Sequence, residues 1–310
     1  MHRLSSPGLY LVIVAAMLWA SVSITGHFAP PDIGPAAYGE VRMAIGGLVL
    51  ALLVGPRRML CVMRKLPRLH LFVATIALAL FQWSFFAAIA TAGIIVANIV
   101  STAIAPLAAA TFSATVHRRL PKAAWWCALG LSATGVALIL VNFTLSIAEG
   151  LFFSALSGVA YMAFTYSTAR MENVVQGRWQ DGLASTALAL MFAALVLLPV
   201  AWPDMEAFLS LRGALVASYL GLAATALAYG CYSIGLRSIT PTTALALQLL
   251  QPIVAMALGF FVLHERVETS VAVSLLLFSA SAILLIANQS SARKKGISPI
   301  AVYPPQGEHP

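Results

Sequence analysis

Side chains able to bind a small molecule recur at helical spacing inside the apolar segments of this chain. Trp19 and Ser23 lie four residues apart, as do Tyr161 and Thr165, so each pair shares one face of a helix. Aromatic rings stack on flat apolar groups, while amides and hydroxyls hydrogen-bond polar ones. The pattern predicts a cavity for an uncharged or zwitterionic solute. Its predicted substrate-binding residues are Trp19, Gln82, Trp83, Phe86, Asn98, Thr102, Tyr161, Tyr229, Tyr232 and Gln248.

Each of these residues also has a purely structural interpretation. A single Trp or Tyr in a membrane helix often packs against its neighbours or anchors the helix at the interface, and Ser and Thr often bond carbonyls of their own helix. The amides of Asn98 and Gln248 are more informative, because an amide in hydrocarbon is costly without a partner. Both interpretations stay open at the level of sequence.

Two prolines and one charged pair complete the set of candidate site residues. Pro106 and Pro252 each remove one helical hydrogen bond. We expect them to act as hinges or to free a carbonyl for the solute, with a static kink as the alternative. Glu40 and Arg42 follow the outer start of the second apolar segment and are assigned to a vestibule. Arg42 could meet the carboxylate of an amino acid, but we favour a side chain that snorkels to the surface.

The sequence contains no recognisable arrangement for catalysis, metal binding or ATP hydrolysis. It has no GxxxxGK[ST] phosphate loop, and the HExxH-like stretch that begins at His264 lacks its second histidine. Cys61, Cys127 and Cys231 have no paired spacing. We therefore expect no enzyme, no cofactor and no metal site. A membrane-embedded enzyme and a non-transporting scaffold or receptor are the rival classes.

None of the ten acidic residues lies at the middle of an apolar segment. Proton-coupled carriers usually bury an ionisable group there. The sequence therefore does not support proton antiport, and we expect the solute to move down its own gradient.

The elements that must position these residues are membrane helices. Hydrophobic residues make up 61% of the chain and charged residues only 9%, and about 20 apolar residues suffice to cross a bilayer. We predict ten spans near 8–26, 36–54, 70–91, 94–116, 123–142, 148–169, 182–202, 212–236, 241–263 and 268–288. The chain is thus expected to be an all-α membrane protein surrounded by lipid.

The net charge of +8 is explained by membrane orientation better than by nucleic-acid binding. With both termini inside, 15 of the 18 Lys and Arg residues fall in cytoplasmic segments, as the positive-inside rule requires. We expect a bacterial inner-membrane protein with both termini cytoplasmic and no nucleic-acid partner. The polar stretch 289–310 is predicted to be a disordered cytoplasmic tail.

The second half of the chain repeats the first. A shift of 146 residues places Pro106 on Pro252 and Trp83 on Tyr229, although apolar segments can also align by chance. The predicted repeats are residues 1–146 and 147–288. Because each contains five spans, the two must have opposite orientations, which is the architecture of alternating access. Two halves in one chain also make a monomer sufficient.

Two stretches resemble helices of the drug/metabolite transporter superfamily, in its ten-helix branch with two EamA domains. The eighth and ninth helices are resembled by TALAYGCYSIGLRSITPTTALALQLLQPIVAMALGFFVLHE (225–265), and the second helix by GEVRMAIGGLVLALL (39–53). In this comparison Arg42 falls on the arginine of the family. The chain departs from the family at HRRLPK (117–122), where an acid is usual, and in the last span, where Ser and Ala replace glycine.

The resemblance implies a secondary transporter that works by alternating access. Among members, the chain is most similar to bacterial aromatic amino-acid exporters, which implies export of amino acids, with aromatic ones favoured. Efflux of other small metabolites or drug-like amphiphiles is the alternative.

Overall fold

The computed structural model describes residues 7–31, 33–116, 123–140, 148–175, 179–236, 239, 247–248, 250–263 and 269–294. Nearly all of them are helical. We number the spans in chain order. Their helices are Pro7–Ala20 and Val22–Phe28 (span 1), Pro35–Val54 (span 2), Arg68–Val116 (spans 3 and 4), Ala123–Leu140 (span 5), Ala148–Val174 (span 6), Trp179–Ala201 (span 7), Leu211–Ser218, Tyr219–Leu227 and Ala228–Leu236 (span 8), Leu250–Leu263 (span 9) and Thr269–Lys294 (span 10).

Spans 3 and 4 follow each other without a loop and are separated by one glycine. Gly93 has φ 83° and ψ 167°, a conformation essentially restricted to glycine. The helical path is therefore interrupted at Gly93, between the two spans predicted at 70–91 and 94–116. The backbone is helical at Pro106, so the break in this segment lies at the glycine and not at the proline.

Five helical segments of the described residues are long and apolar enough to cross a membrane: Pro7–Phe28, Pro35–Val54, Arg68–Ile94, Trp179–Leu209 and Leu211–Gly235. Shorter apolar helices, Val96–Ala105, Leu250–Val262 and Ala272–Ser281, lie in spans 4, 9 and 10. Their outward faces carry exposed large apolar residues such as Leu52, Leu195 and Leu276, as expected of surfaces that contact lipid.

The packing of the helices is symmetric with respect to the two halves. Span 1 packs against spans 8 and 9, and its equivalent, span 6, packs against the helix that holds spans 3 and 4. Span 2 packs against its own equivalent, span 7, and span 5 packs against span 10. Exchanging the two halves therefore leaves the pattern of neighbours unchanged.

Spans 5 and 10 show directly how the halves are oriented. Ser281 Oγ donates to the carbonyl of Ala128 at 2.8 Å, and Ser274 Oγ donates to the carbonyl of Gly135 at 2.8 Å. Residue numbers rise along one helix as they fall along the other, so these equivalent helices are antiparallel. The shift of 146 residues converts one contact pair into the other. The chain is an all-α membrane protein with ten transmembrane helices in two inverted five-helix repeats.

The structure adds one helix to the predicted spans and corrects the start of the predicted tail. The connection between spans 2 and 3 contains a helix, Pro56–Lys65, which an ion pair between Arg58 Nε and Asp181 Oδ1 at 2.8 Å links to span 7. Span 10 extends to Lys294, so residues 289–294 are helical and not part of a disordered tail. The remainder of that predicted tail, 295–310, lies outside the described residues, as do 241–246 of span 9 and the stretch around His264. The exact repeat boundaries, 1–146 and 147–288, stay a prediction.

Candidate functional site

A cavity lies between the two halves, with walls from spans 1, 2, 3, 4, 6, 8 and 9. Together with its open mouth it encloses about 660 Å³ not filled by protein atoms. Both repeats contribute to it, and its lining combines aromatic, apolar and uncharged polar side chains with one arginine. The lining residues are Trp19, Val22, Arg42, Phe81, Phe85, Ser101, Thr102, Ala105, Tyr161, Tyr229, Gln248 and Gln251.

The aromatic wall of the cavity is built by rings from four spans. Trp19 lies edge-on to Tyr229, with ring centroids 4.9 Å apart and an interplanar angle of 63°. Tyr161 contacts Phe81, with ring centroids 5.0 Å apart. Edge-to-face packing fixes the rings against each other and leaves the cavity-facing surfaces available to an apolar group.

Arg42 is the charged residue of the cavity wall, and span 8 and span 3 hold it in place. Its Nε donates to Thr225 Oγ1 at 3.0 Å, its Nη2 to the carbonyl of Ala224 at 3.0 Å, and its Nη1 to Gln82 Oε1 at 3.3 Å. The residue is only 4% exposed. Its partners are neutral, so they orient the guanidinium without neutralising it.

The carbonyl of Ala224 belongs to a π-helical stretch, Tyr219–Leu227, in the middle of span 8. Such wide turns are rare and are frequently found at functional sites. Here the wide turn carries both the carbonyl and the threonine that hold Arg42.

Several buried donors around the cavity have no hydrogen-bond partner among the described residues. They include Trp19 Nε1, Gln82 Nε2 and Gln248 Nε2. The hydroxyls of Tyr161 and Tyr232 are neighbours, but neither meets the distance and angle of a hydrogen bond. A buried polar group without a partner is costly. The walls therefore favour a bound group that accepts hydrogen bonds.

The two prolines lie next to the cavity in equivalent places. Thr102 and Gln248 line it, each four residues before a proline, and the shift of 146 residues places one on the other. A proline cannot donate the helical bond to the carbonyl four residues earlier. The carbonyls of Thr102 and Gln248 thus lack their helical donor, which makes them candidate acceptors for a solute. Pro252 itself is buried, and the side chain of Pro106 lies outside the described residues.

The structure brings five of the ten predicted substrate-binding residues onto the cavity wall: Trp19, Thr102, Tyr161, Tyr229 and Gln248. The other five are placed behind or beside it. These are Gln82, Trp83, Phe86, Asn98 and Tyr232.

Each residue off the wall has a structural contact of its own. Trp83 packs edge-on against Phe153 at 5.4 Å, and Phe86 stacks on Tyr38 at 5.1 Å. Asn98 Nδ2 donates to Ser23 Oγ at 2.8 Å and thereby joins span 4 to span 1. Tyr232 packs against Trp19, with ring centroids 5.1 Å apart. Gln82 supports Arg42 from behind.

Sequence reasoning missed the cavity residues Phe81 and Phe85. They are four residues apart and share one face of span 3. The spacing of the two phenylalanines could have identified them, but the predicted set was based on the polar Gln82 and on Phe86, which share the neighbouring face.

The predicted vestibule needs correction for Arg42. The residue does not snorkel to the surface. It is buried and lines the cavity, because Thr225, Ala224 and Gln82 bind its guanidinium inside the protein. Glu40 is also buried, at 5% exposed, and its Oε2 has no hydrogen-bond partner among the described residues. It is not part of the cavity lining.

Comparison with known proteins agrees with this architecture. The sequence pattern of the EamA-like transporter family matches residues 6–141 and again residues 154–287. Over 263 residues the chain is 30% identical to the uncharacterized transporter YwfM of Bacillus subtilis (strain 168), an alignment that covers 84% of this chain and 86% of YwfM. A protein of known crystal structure has the same fold, with a TM-score of 0.66 at 16% identity over 93% of this chain and 98% of that one. The chain therefore belongs to the EamA-like transporter family of multi-pass membrane transporters.

Proposed function

We propose that this protein exports amino acids, with aromatic ones favoured, by alternating access in a bacterial inner membrane. The observation that carries the proposal is the cavity between the halves, where aromatic rings adjoin a buried arginine and amide donors. An aromatic amino acid presents a flat apolar ring and a compact polar end. The two ends match the two kinds of wall.

The inverted repeats supply the mechanism. Equivalent helices surround the cavity from both halves, so two arrangements of the bundle, related by a pseudo-two-fold axis in the membrane plane, are close in energy, and one opens to each side. Thr102 and Gln248 lie at equivalent points of spans 4 and 9, each next to a proline. We propose that spans 4 and 9 bend there as access alternates. One chain contains both halves, so a monomer is sufficient.

Transport down the solute gradient is the simplest form of coupling for this cavity. Among the described residues, no carboxylate lines the cavity. Proton antiporters usually place an ionisable group at the binding site. Export of a metabolite that accumulates in the cell needs only its own gradient.

The alternative is efflux of other small metabolites or drug-like amphiphiles. The aromatic wall would also bind such compounds. Cationic dyes and other cationic drugs are disfavoured, since Arg42 places an uncompensated positive charge on the wall.

The test is counterflow in liposomes that contain the purified protein, with labelled amino acids, purines and cationic dyes as a panel. We expect exchange of phenylalanine, tyrosine or tryptophan, at equal rates with and without a pH gradient. Gln248→Ala should lower the exchange about 5- to 10-fold, the effect of one lost hydrogen bond of ~1 kcal/mol. Phe152→Ala, at a side chain 63% exposed on the outer surface, is the matched control and should exchange normally.

Exchange of purines or dyes without amino acids would contradict the proposed substrate class. A strict requirement for the pH gradient would contradict the proposed coupling. If Gln248→Ala exchanges like the Phe152→Ala control at equal folded yield, the cavity is not the transport site.

A further inference from the structure

We infer that Arg42 is the binding residue for a carboxylate of the solute and that this contact, more than any contact to an amine, determines which solutes are transported. The inference rests on the proposed transport function and specifies its substrate class as aromatic monocarboxylates, with or without an amino group. It follows from the hydrogen bonds of Arg42, the unpaired donors nearby and the charges of the cavity wall.

The guanidinium of Arg42 has capacity left for a ligand. It has five N–H groups, and three of them donate to Thr225, Gln82 and Ala224. Two N–H groups therefore stay available. A carboxylate accepts two parallel hydrogen bonds from a guanidinium, which is the strong and directional form of this contact.

The charge of Arg42 also lacks a counterion. Within the part of the chain that the structure describes, no carboxylate contacts Arg42. A buried charge without a partner is unfavourable. Among the groups that an amino acid or a related metabolite carries, a carboxylate is the one that would supply the missing charge.

The neutral donors around Arg42 have the same preference. Gln248 Nε2 and Trp19 Nε1 have no acceptor among the described residues. Both residues line the cavity together with Arg42. Donors without acceptors favour a group that only accepts hydrogen bonds, which an ionised carboxylate does.

The cavity offers an ammonium group much less. Its described lining has no carboxylate, and the acceptors available to an amine are neutral: hydroxyls, ring faces, the side-chain amide oxygens of glutamines and the carbonyls of Thr102 and Gln248. Neutral acceptors bind a cation more weakly than a charged partner does, and Arg42 repels it. We therefore expect the carboxylate to be required and the amino group to be dispensable.

The experiment is competition with phenylalanine counterflow by two single-group analogues at pH 7. One is 3-phenylpropionate, which has the ring and the carboxylate; the other is phenethylamine, which has the ring and the amine. We expect 3-phenylpropionate to compete within about three-fold of phenylalanine, and phenethylamine to need at least about 30-fold more, as for the loss of a charge-assisted hydrogen bond. In detergent, 3-phenylpropionate should raise the Tm of the protein more than phenethylamine does, which measures binding without membrane permeation.

Variants at the arginine test the assignment to the residue. In Arg42→Gln we expect the preference for 3-phenylpropionate over phenethylamine to fall at least about ten-fold. Arg42→Lys keeps the charge and loses the two-pronged geometry, so it should retain part of the preference. Arg58→Gln, which removes an arginine outside the cavity, should leave the preference unchanged. If Arg42→Gln does not fold, the analogue panel on the unmodified protein and Arg42→Lys still decide the question.

The outcomes separate this inference from the function beneath it. Phenylalanine exchange with equal competition by both analogues, or better competition by phenethylamine, overturns the inference and leaves the transport function standing. An unchanged preference in a folded Arg42→Gln protein overturns it as well. No exchange of any aromatic amino acid or aromatic acid contradicts the proposed function itself.

Discussion

Thr225 fixes the position of the Arg42 guanidinium through a hydrogen bond of 3.0 Å to Nε, and it is itself fully buried. Thr225→Val keeps the shape of the side chain and removes the acceptor, so a buried Nε–H is left without a partner. We expect the free energy of unfolding to fall by ~1–3 kcal/mol, the cost of an unsatisfied buried donor. Carboxylate competition should weaken as the guanidinium loses its orientation. Unfolding in detergent and the counterflow assay measure the two effects.

Thr168→Val is the matched control for this prediction. Thr168 is also buried, but its hydroxyl donates to the carbonyl of Phe164 in its own helix at 2.8 Å. Removing that bond leaves no donor without a partner, so the change in unfolding free energy should stay below ~1 kcal/mol. Equal losses in both variants would show that Thr225 acts only as a packing residue.

At this scale, sequence predicted the chemistry of the site better than its geometry. Trp19, Tyr161 and Gln248 could be selected because rings and amides in apolar helices need a reason to be there. The position of Arg42 inside the cavity could not be predicted. An arginine snorkels or is buried according to whether other helices of the bundle offer hydrogen-bond acceptors to its guanidinium. Those partners, Thr225 and the carbonyl of Ala224, come from a helix about 180 residues away in the chain.

Span 2 and span 8 approach each other closely where Arg42 crosses between them. A Cβ added to Gly46 would lie 2.7 Å from Cβ of Thr225 and 3.1 Å from the carbonyl oxygen of Gly221. Real side chains do not fit at such a separation, so Gly46→Ala must push the two spans apart. We expect a loss of ~1–3 kcal/mol in unfolding free energy, as for other overpacked contacts. The displacement should also weaken the hold of span 8 on Arg42 and lower the exchange rate.

Gly130→Ala is the control at the level of the helix. Gly130 lies inside span 5, and a Cβ there meets no atom within 4 Å. Alanine is the better helix former by about 1 kcal/mol, so this variant should be as stable as the parent or slightly more stable. If Gly46→Ala behaves in the same way in thermal unfolding, the two spans have room to spare and the close contact carries no energy.

Helix existence followed from hydropathy, whereas helix detail did not. The ten apolar segments were visible because a bilayer demands about 20 apolar residues for each crossing. The π-helical stretch Tyr219–Leu227 has no such signature, since a wide turn depends on packing and on side chains from other helices. The helix Pro56–Lys65 was also missed, because its charged residues interrupt the apolar pattern on which the prediction depended.

The architecture of the whole molecule could be predicted because it was duplicated. Two copies of one pattern with five spans each must be inverted, and the antiparallel contacts of Ser281 with Ala128 and of Ser274 with Gly135 agree with that relation. What duplication does not determine is which end of the bundle faces the cytoplasm. That depends on the distribution of charge between the two faces.

The helix after span 2, Pro56–Lys65, is rich in positive charge. Its exposed Cys61 is flanked by Arg57, Arg58, Arg64 and Lys65. The connection Trp202–Leu209 after span 7, on the opposite face if ten spans cross the membrane, contains Asp204 and Glu206 and no Lys or Arg. Moving four cations across an energised membrane is unfavourable, so the face with Cys61 should be cytoplasmic.

Site-directed labelling tests this orientation. In a chain with Cys127→Ser and Cys231→Ser, a membrane-impermeant maleimide added to intact bacteria should not modify Cys61 until the cells are permeabilised. In a Glu206→Cys variant that also carries Cys61→Ser, labelling should occur in intact cells, since Glu206 is exposed in the connection after span 7. The reverse pattern would place the cationic helix outside and turn the proposed exporter upside down in the membrane. Labelling of both positions in intact cells would place them on the same side of the membrane, whereas the five spans between them, spans 3 to 7, require opposite sides.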